Sequence, residues 1–242
     1  MRLKALIFDV DGTLADTEEA HRSAFNEAFL EAGLDWNWSK PKYAHLLSTT
    51  GGKERMAAHI ASLPLDAGAK AALQERIPAL HKAKTERYAR MILEGQAPLR
   101  TGVVRLLDEA ASRGVRVCIA TTTTFANIEA LLVTHLGKDA LERFAVIGAG
   151  DQVARKKPAP DIYEWVLEQS QLAADECVAI EDSLNGLRAA KAAGLYTIVT
   201  PSYWTKTEDF AAADLVLPAL VPKLGIREID DQLTMSRTLI ED

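Results

Sequence analysis

Six short apolar runs punctuate this chain, and longer segments with helical periodicity separate them. Runs of this length between helical segments are typical of buried strands in a parallel sheet, which needs helices on both faces. The sequence therefore predicts an α/β fold. The runs are Leu3 to Phe8, Val115 to Ala120, Phe144 to Gly148, Val178 to Ile180, Tyr196 to Val199 and Leu215 to Leu217.

One long interval breaks this alternation, because it has no strand-like runs and shows several helical stretches in succession. Its last helix is predicted over Ala67 to Leu93, with a break or kink at Pro78. We therefore predict a Rossmann-like, doubly wound parallel sheet core with an inserted helical cap domain. The core is assigned to residues 1–14 plus 98–242 and the cap to residues 15–97. The tail after Pro222 is polar, and its role stays open.

Composition and charge exclude several classes of protein. With 48% hydrophobic and 26% charged residues, the chain has the make-up of an ordinary globular protein. A net charge of -6 would repel a nucleic-acid backbone or an anionic membrane. No apolar run has the length of a secretory signal or a membrane span, and Cys118 and Cys177 lie inside apolar runs. We expect a cytoplasmic protein with buried thiols, no nucleic-acid partner and no membrane partner.

Two carboxylates, Asp9 and Asp11, come directly after the first apolar run. This is the carboxyl end of a predicted central strand, the edge at which open α/β sheets bind ligands. Residues two apart in an extended segment point the same way, so both carboxylates can face one small volume. Asp-Gly alone is common in turns, but the whole pattern from Asp9 to Thr13 seldom arises by chance.

The strand followed by Asp-Val-Asp-Gly-Thr resembles the first motif of the haloacid dehalogenase superfamily. Counterparts of its three other motifs follow in the expected order, each at or near a predicted strand end or before a proline. Alone, each of these residues would be read as a helix cap or a solvated charge. The counterparts are Thr121 after Ala120, Lys157 before Pro158, and Glu181-Asp182 after Ile180. Lys156 is interpreted as a solvated neighbour of Lys157, because only Lys157 adjoins the proline.

The resemblance implies a magnesium-dependent phosphohydrolase in which Asp9 attacks phosphorus and forms an aspartyl phosphate. Asp11 would protonate the leaving alcohol and then deprotonate the attacking water, which requires a raised pKa. By the same resemblance, Mg²⁺ is held by Asp9, the backbone carbonyl of Asp11 and Asp182. Glu181 would act from the second shell or through water.

The resemblance also implies a set of groups that hold the phosphate. Lys157 would place a positive charge on it and orient Asp9. Thr121 offers a hydroxyl, and the backbone N–H of Thr122 is expected at the start of the next helix, where N–H groups bind anions.

The helical insertion after the first motif resembles the mobile cap of the β-phosphoglucomutase-like subfamily. Finer matches resemble CbbY-like sugar bisphosphate phosphatases, which implies a small-molecule sugar phosphate as partner, xylulose-1,5-bisphosphate in particular, and a monomer. The segments that carry these matches are residues 16–22, 49–55, 81–84, 120–124 and 181–187.

Within the cap, Gly51-Gly52-Lys53 could present N–H groups and an ammonium to a second phosphate. The same segment could instead be the start of a helix with a solvated lysine. The other candidates are basic or polar side chains of the cap. Assistance with phosphate is expected from Thr50, Arg55 and Lys84, and contacts to sugar hydroxyls are expected from Glu18, His21 and Tyr43.

Two other functions stay open at the level of sequence. A β-phosphoglucomutase-like mutase shares both aspartates and differs in keeping and reorienting its intermediate. A binding module that has lost catalysis is the more distant alternative, since the motif residues Asp9, Asp11, Thr121, Lys157 and Asp182 are all present.

Overall fold

A computed structural model of the chain describes residues 2–221 and 224–241. In these residues one sheet of six parallel strands has the order β3-β2-β1-β4-β5-β6, so the predicted α/β class is confirmed. The most apolar runs supply the central strands β1 and β4, which are buried along their full length. The strands are β1 (Ala5–Phe8), β2 (Arg116–Ala120), β3 (Val146–Gly148), β4 (Cys177–Glu181), β5 (Tyr196–Val199) and β6 (Leu215–Val216).

Helices cover both faces of the sheet, because alternate residues of each strand point to opposite sides. The helices are α6 (Val103–Ser112), α7 (Phe125–Leu136) and α10 (Ile226–Glu241) on one face, and α8 (Asp161–Ser170) and α9 (Leu184–Ala192) on the other. Leu6 and Phe8 of β1 pack in one apolar cluster with α6, α7 and α10. Ala5 and Ile7 pack in a second cluster with α8 and α9.

Five further helices lie between β1 and α6, inside the interval predicted to form the cap. An aromatic cluster that includes Phe25, Phe29 and Trp38 holds them together. The bounds of the cap at residues 15 and 97 stay a prediction. The helices are α1 (Glu18–Glu31), α2 (Lys40–Leu46), α3 (Gly52–Ser62), α4 (Ala67–Glu75) and α5 (Ile77–Leu93).

The prediction of a break or kink at Pro78 is confirmed as a break, but its position is wrong by two residues. Two separate helices meet at Arg76, which ends α4 and directly precedes α5. Pro78 lies in the first turn of α5, where a missing N–H leaves no helical hydrogen bond unmade.

The two connections between core and insertion lie side by side. Ala15 and Leu99 form an isolated antiparallel bridge. The Asp16 N–H donates to the Pro98 carbonyl at 3.1 Å, and the Arg100 N–H donates to the Leu14 carbonyl at 2.9 Å. Both connections therefore pass the carboxyl edge of the sheet, next to the turn that follows β1.

The chain after Pro222, a residue outside the described ranges, is more than a polar tail. It forms α10, which buries Ile226, Ile229 and Leu233 in the core. Asp230 of this helix accepts a hydrogen bond from the Leu3 N–H at 2.7 Å, just before β1. Both cysteines are free and buried, as predicted. Among the described residues, no helix combines the length and apolar character that crossing a membrane requires.

Candidate active site

The carboxyl ends of β1 and β4 bring three carboxylates together. β1 pairs with β4 so that Phe8 lies opposite Ile180, which places Asp9 beside Glu181 and Asp182. One oxygen of each carboxylate lies within 4.8 Å of the others, and all three side chains are buried. These residues lie about 170 positions apart in the sequence, and they meet because parallel strands end at the same edge of the sheet.

Lys157, in the loop before α8, reaches the centre of this cluster. Its Nζ donates to Asp9 Oδ1 at 2.7 Å, Glu181 Oε1 at 2.6 Å and the Ala120 carbonyl at 2.8 Å. Burial alone would lower the pKa of Lys157, but the charges of Asp9 and Glu181 outweigh it and raise the pKa to about 12. Lys157 is therefore a permanent cation that orients Asp9.

Glu181 is fully buried and is occupied by partners inside the core. Besides Lys157, it accepts a hydrogen bond of 2.5 Å from the hydroxyl of Tyr163, on α8. Asp182 lies closer to the cleft, and its Oδ2 accepts a bond of 3.2 Å from Thr205 Oγ1. These positions favour Asp182 as a direct metal ligand and Glu181 as a supporting group.

Gly12 lets the turn after β1 approach Asp182. Its φ of +87° lies in the left-handed region, and a Cβ on it would lie 2.2 Å from Asp182 Oδ2. A side chain at this position would therefore displace the carboxylate. Because of this close approach, the backbone that follows Asp11 lies beside the side chain of Asp182.

The charge balance of the cluster fits a hard divalent cation. Burial raises the pKa of Asp9 to about 7 despite the opposing charge of Lys157. Burial, together with Asp9 and Glu181, raises the pKa of Asp182 as well. Three buried carboxylates face one ammonium, so a cation bound by oxygen ligands would stabilise their ionised forms. Asp9, Asp182 and the carbonyl of Asp11 fit as its ligands.

The expectation of a raised pKa for Asp11 is wrong for this arrangement. Its Oδ1 accepts a bond of 2.6 Å from Thr17 Oγ1 and lies 2.9 Å from His21 Nε2. Burial would raise the pKa of Asp11, but His21, Thr17 and the charge of Lys84 overcome it and bring the pKa to about 2. Asp11 is an ionised carboxylate held by the cap.

Lys84 stands behind His21 and completes this chain of groups. Lys84 Nζ lies 2.5 Å from His21 Nδ1, and Tyr88 stacks on the imidazole with ring centroids 4.0 Å apart. Burial lowers the pKa of His21, so the neutral ring accepts from Lys84 at Nδ1 and donates from Nε2 to Asp11. Burial also lowers the pKa of Lys84, to about 7.

A second polar group of the cap centres on Tyr43, which is fully buried behind the cleft wall. Its hydroxyl donates to Glu18 Oε2 at 2.6 Å and accepts from Arg55 Nη1 at 3.0 Å. Arg55 also donates to the Leu46 carbonyl at 3.2 Å. Tyr43 therefore positions Glu18 and Arg55, and Trp204 of the core packs edge-on against its ring.

Lys156 is misassigned as a solvated neighbour. Its side chain is only 17% exposed, lines the cleft, and forms an ion pair of 3.2 Å with Glu54 of α3. The position after Gly51 starts α3, and Gly51 has a φ of +93°. The basic side chain from the core thus lies beside the glycine turn of the cap.

The loop after β2 departs from prediction in one respect. The next helix, α7, begins at Phe125, so Thr122 lies in the loop rather than at the helix start. The hydroxyl of Thr121 is buried and accepts a bond of 3.3 Å from the Thr123 N–H. Thr122 and Thr123 line the cleft.

Most of the predicted site residues line one cleft between core and cap. Thr121, Tyr43 and Glu181 are not among its lining residues and support it from behind. Sequence reasoning missed Thr17, Tyr163 and Thr205 and misassigned Lys156; of the three missed residues, only Thr17 lies in a segment that had been singled out. The predicted residues lining the cleft are Asp9, Asp11, Glu18, His21, Thr50, Gly51, Gly52, Lys53, Arg55, Lys84, Thr122, Lys157 and Asp182.

A strand that leads directly into Asp9, a buried lysine and an acidic cluster under a helical insertion agree with one family of enzymes. The sequence model of the haloacid dehalogenase-like hydrolases matches residues 3–194. The chain belongs to that family and is an enzyme of the hydrolase class, as the motifs predicted.

Within this family the chain is similar to protein CbbY. It is 54% identical to protein CbbY of Rhodobacter capsulatus over 91% of this chain and 95% of that protein. The crystal structure of CbbY from Rhodobacter sphaeroides in complex with phosphate superposes with a TM-score of 0.86 at 46% identity, covering 94% of this chain and 99% of that one. A mutant of the same protein, solved in complex with xylulose-(1,5)bisphosphate, superposes equally well over 93% and 98% of the two chains.

Proposed function

We propose that this protein is a magnesium-dependent sugar phosphate phosphatase that works through an aspartyl phosphate on Asp9. The observation that carries the proposal is the position of Asp9 at the end of β1. It is bonded to Lys157 and grouped with Asp182 in a cleft that the basic residues Lys53, Arg55, Lys84 and Lys156 also line. This arrangement supplies a nucleophile, a fixed positive charge and a cation site within one small volume.

The nucleophile faces an electrostatic barrier that its neighbours reduce. A carboxylate and a phosphate oxygen at contact repel each other by about 4 kcal/mol at an effective dielectric near 20. Lys157 offsets part of this repulsion and fixes the direction of the Asp9 carboxylate through the bond to Oδ1. Asp9, Asp182 and the Asp11 carbonyl would hold magnesium, which when bound would supply the further positive charge that the phosphate requires.

Asp11 is placed to handle the proton. The bonds from Thr17 and His21 both end on Oδ1, so Oδ2 can exchange a proton with the leaving alcohol or with water. The ionised form is the base needed to hydrolyse the aspartyl phosphate. The first step needs the protonated form, and a phosphate dianion bound nearby raises the pKa of Asp11 in that direction.

A ketose bisphosphate such as xylulose-1,5-bisphosphate is the substrate that fits the cap. Lys53 and Lys156 line the cleft near the glycine turn at Gly51 and can hold a second phosphate. Glu18 and His21 line the same cleft and can bond sugar hydroxyls. Support comes from the CbbY of Rhodobacter sphaeroides, which is similar to this chain and was solved with xylulose-(1,5)bisphosphate.

The test is phosphate release from four substrates with and without Mg²⁺: xylulose-1,5-bisphosphate, ribulose-1,5-bisphosphate, fructose-1,6-bisphosphate and β-glucose-1-phosphate. We expect turnover to require Mg²⁺, to favour the first and to vanish in Asp9→Asn. The surface variant Asp108→Asn, which alters an exposed carboxylate, serves as the control. Glucose-6-phosphate as the main product from β-glucose-1-phosphate would favour the mutase, and no turnover of any substrate would favour a binding module.

A further inference from the structure

Arg100 lies on the second connection between cap and core, directly after the residue that bridges to Ala15. Its side chain is only 12% exposed and points into the catalytic edge of the sheet instead of into solvent. No motif or spacing marks this arginine, and the chemistry proposed above does not use it.

The guanidinium binds backbone carbonyls from two separate segments. Its Nη1 donates to the Gly12 carbonyl, to the Thr200 carbonyl at 2.7 Å and to Thr200 Oγ1 at 3.0 Å. Its Nη2 donates to the Pro201 carbonyl at 3.0 Å. Its Nε lies 3.6 Å from Asp16 Oδ1, on the first connection. One side chain thus joins both connections, the turn after β1 and the end of β5.

The Gly12 carbonyl belongs to the turn that carries one proposed metal ligand, and the Thr200 carbonyl lies in a segment bonded to the strand end that carries another. Gly12 follows Asp11, whose carbonyl is one of those ligands, and its backbone lies so near Asp182 that an added Cβ would be 2.2 Å from Asp182 Oδ2. Thr200 donates its N–H to the Glu181 carbonyl at 2.7 Å, next to Asp182. A shift of either segment would change the distance between the Asp11 carbonyl and the Asp182 carboxylate.

An arginine is suited to this task and a lysine is not. The planar guanidinium offers five donors in a fixed fork, so it can bind several carbonyls at once and hold their relative positions. A lysine ammonium is a single point with a flexible stem, and it would keep the charge but lose the geometry.

We propose that Arg100 is a positioning residue that sets the spacing of the magnesium ligands at the ends of β1 and β4. It acts through the Gly12 and Thr200 carbonyls and touches neither substrate nor metal. The proposal rests on the proposed magnesium site, and it assigns the affinity of that site in part to a residue of the cap connection.

The test compares Arg100→Lys with Arg105→Lys. Arg105, on α6, is a matched control because it also donates to carbonyls of a remote segment, those of Val221 at 3.0 Å and Leu224 at 2.9 Å, and none of these residues lines the cleft. Magnesium binding is measured by titration calorimetry without substrate, and thermal unfolding is followed in parallel.

We expect Arg100→Lys to weaken magnesium binding by about tenfold or more, in the range seen when groups that orient metal ligands are changed. Arg105→Lys should leave it within about twofold. Activity of Arg100→Lys should recover at saturating Mg²⁺, with the sugar phosphate KM unchanged. Equal lowering of the melting temperature in both variants with unchanged magnesium affinity would overturn the proposal.

Two further outcomes are separable. If the unmodified protein binds no magnesium, the proposed function itself fails, and this proposal fails with it. If Arg100→Lys does not fold, Thr200→Val removes one acceptor of the guanidinium and retains the backbone carbonyl. We expect it to weaken magnesium binding by about two- to threefold, and unchanged affinity in Thr200→Val would overturn the proposal.

Discussion

Two buried lysines line the cleft, one from the core and one from the cap, and they differ in the charges around them and in the direction of their pKa shifts. Lys157 of the core bonds two carboxylates, and its pKa is raised to about 12. Lys84 of the cap bonds the neutral ring of His21, and its pKa is lowered to about 7. The core lysine has its counter-charges built in, whereas the cap lysine gains full stabilisation only beside an added anion. The core thus fixes the chemistry, and the cap is charged to receive a ligand.

The largest effect should come from Lys157→Met. It leaves Asp9 and Glu181 buried without their cation, so we expect activity to fall by about a thousandfold or more and stability by about 3–5 kcal/mol. Phosphate release and urea unfolding measure the two. A loss of activity with stability unchanged would show that Lys157 does not stabilise the folded protein, and it would contradict the difference from Lys84.

Lys84→Met should act on activity alone. The substitution removes a buried ammonium that is costly to desolvate, so we expect unfolding free energy to stay the same or rise, while kcat/KM falls by about 10- to 100-fold. Urea unfolding beside steady-state kinetics makes the comparison. Destabilisation equal to that of Lys157→Met would remove the distinction between the two lysines.

Lys156→Gln should affect only the binding of a second phosphate. We expect the KM for the bisphosphate to rise by about tenfold, and the KM for a monophosphate of the same sugar to stay unchanged. Lys138→Gln, a change at an exposed surface lysine, is the control. An equal rise of KM for both substrates would place Lys156 at the transferred phosphate instead.

The smallest effect concerns pH and the packing of the cap. His59 is buried against Trp36 and Trp38, and burial, with Lys42, lowers its pKa to about 4. A lowered histidine pKa means that the unfolded chain binds the proton first. The contribution of neutral His59 to the stability of the fold is therefore complete above about pH 6.5 and is lost as the pH falls towards 4.

His59→Phe should remove this sensitivity. We expect it to be more stable than the unmodified protein by about 1–2 kcal/mol at about pH 5 and close to it at about pH 7.5. Urea unfolding at both pH values measures the difference, with His45→Gln, at an exposed position of α2, as control. A pH dependence identical to that of the unmodified protein would contradict the assignment to His59.

The core half of the site could be predicted because its geometry follows from strand ends. Asp9 comes directly after an apolar run and Asp182 follows one after Glu181, and parallel pairing brings such positions together whatever their separation along the chain. Lys157 could be identified only through the motif order and its proline. Its three short bonds depend on the loop before α8, which no periodicity describes.

The remaining features depend on packing between segments that sequence patterns treat separately. The role of Lys156 needs Glu54 of α3 to lie opposite, and the low pKa of Asp11 needs Thr17 and His21 to turn towards it. Arg100 carries no sequence signal at all, because its partners are backbone carbonyls, which every residue has. Such contacts become visible only when the connections and the strand ends are placed in space.

The central claim is that Asp9 becomes phosphorylated during turnover. The direct measurement is to quench the enzyme in acid while it turns over substrate, reduce it with borohydride, and analyse the peptide that contains Asp9 by mass spectrometry. An acyl phosphate is reduced to an alcohol, so the account predicts homoserine at position 9 and unmodified aspartate at position 11. Rapid phosphate release with both residues unmodified, or homoserine at position 11 instead, would contradict it.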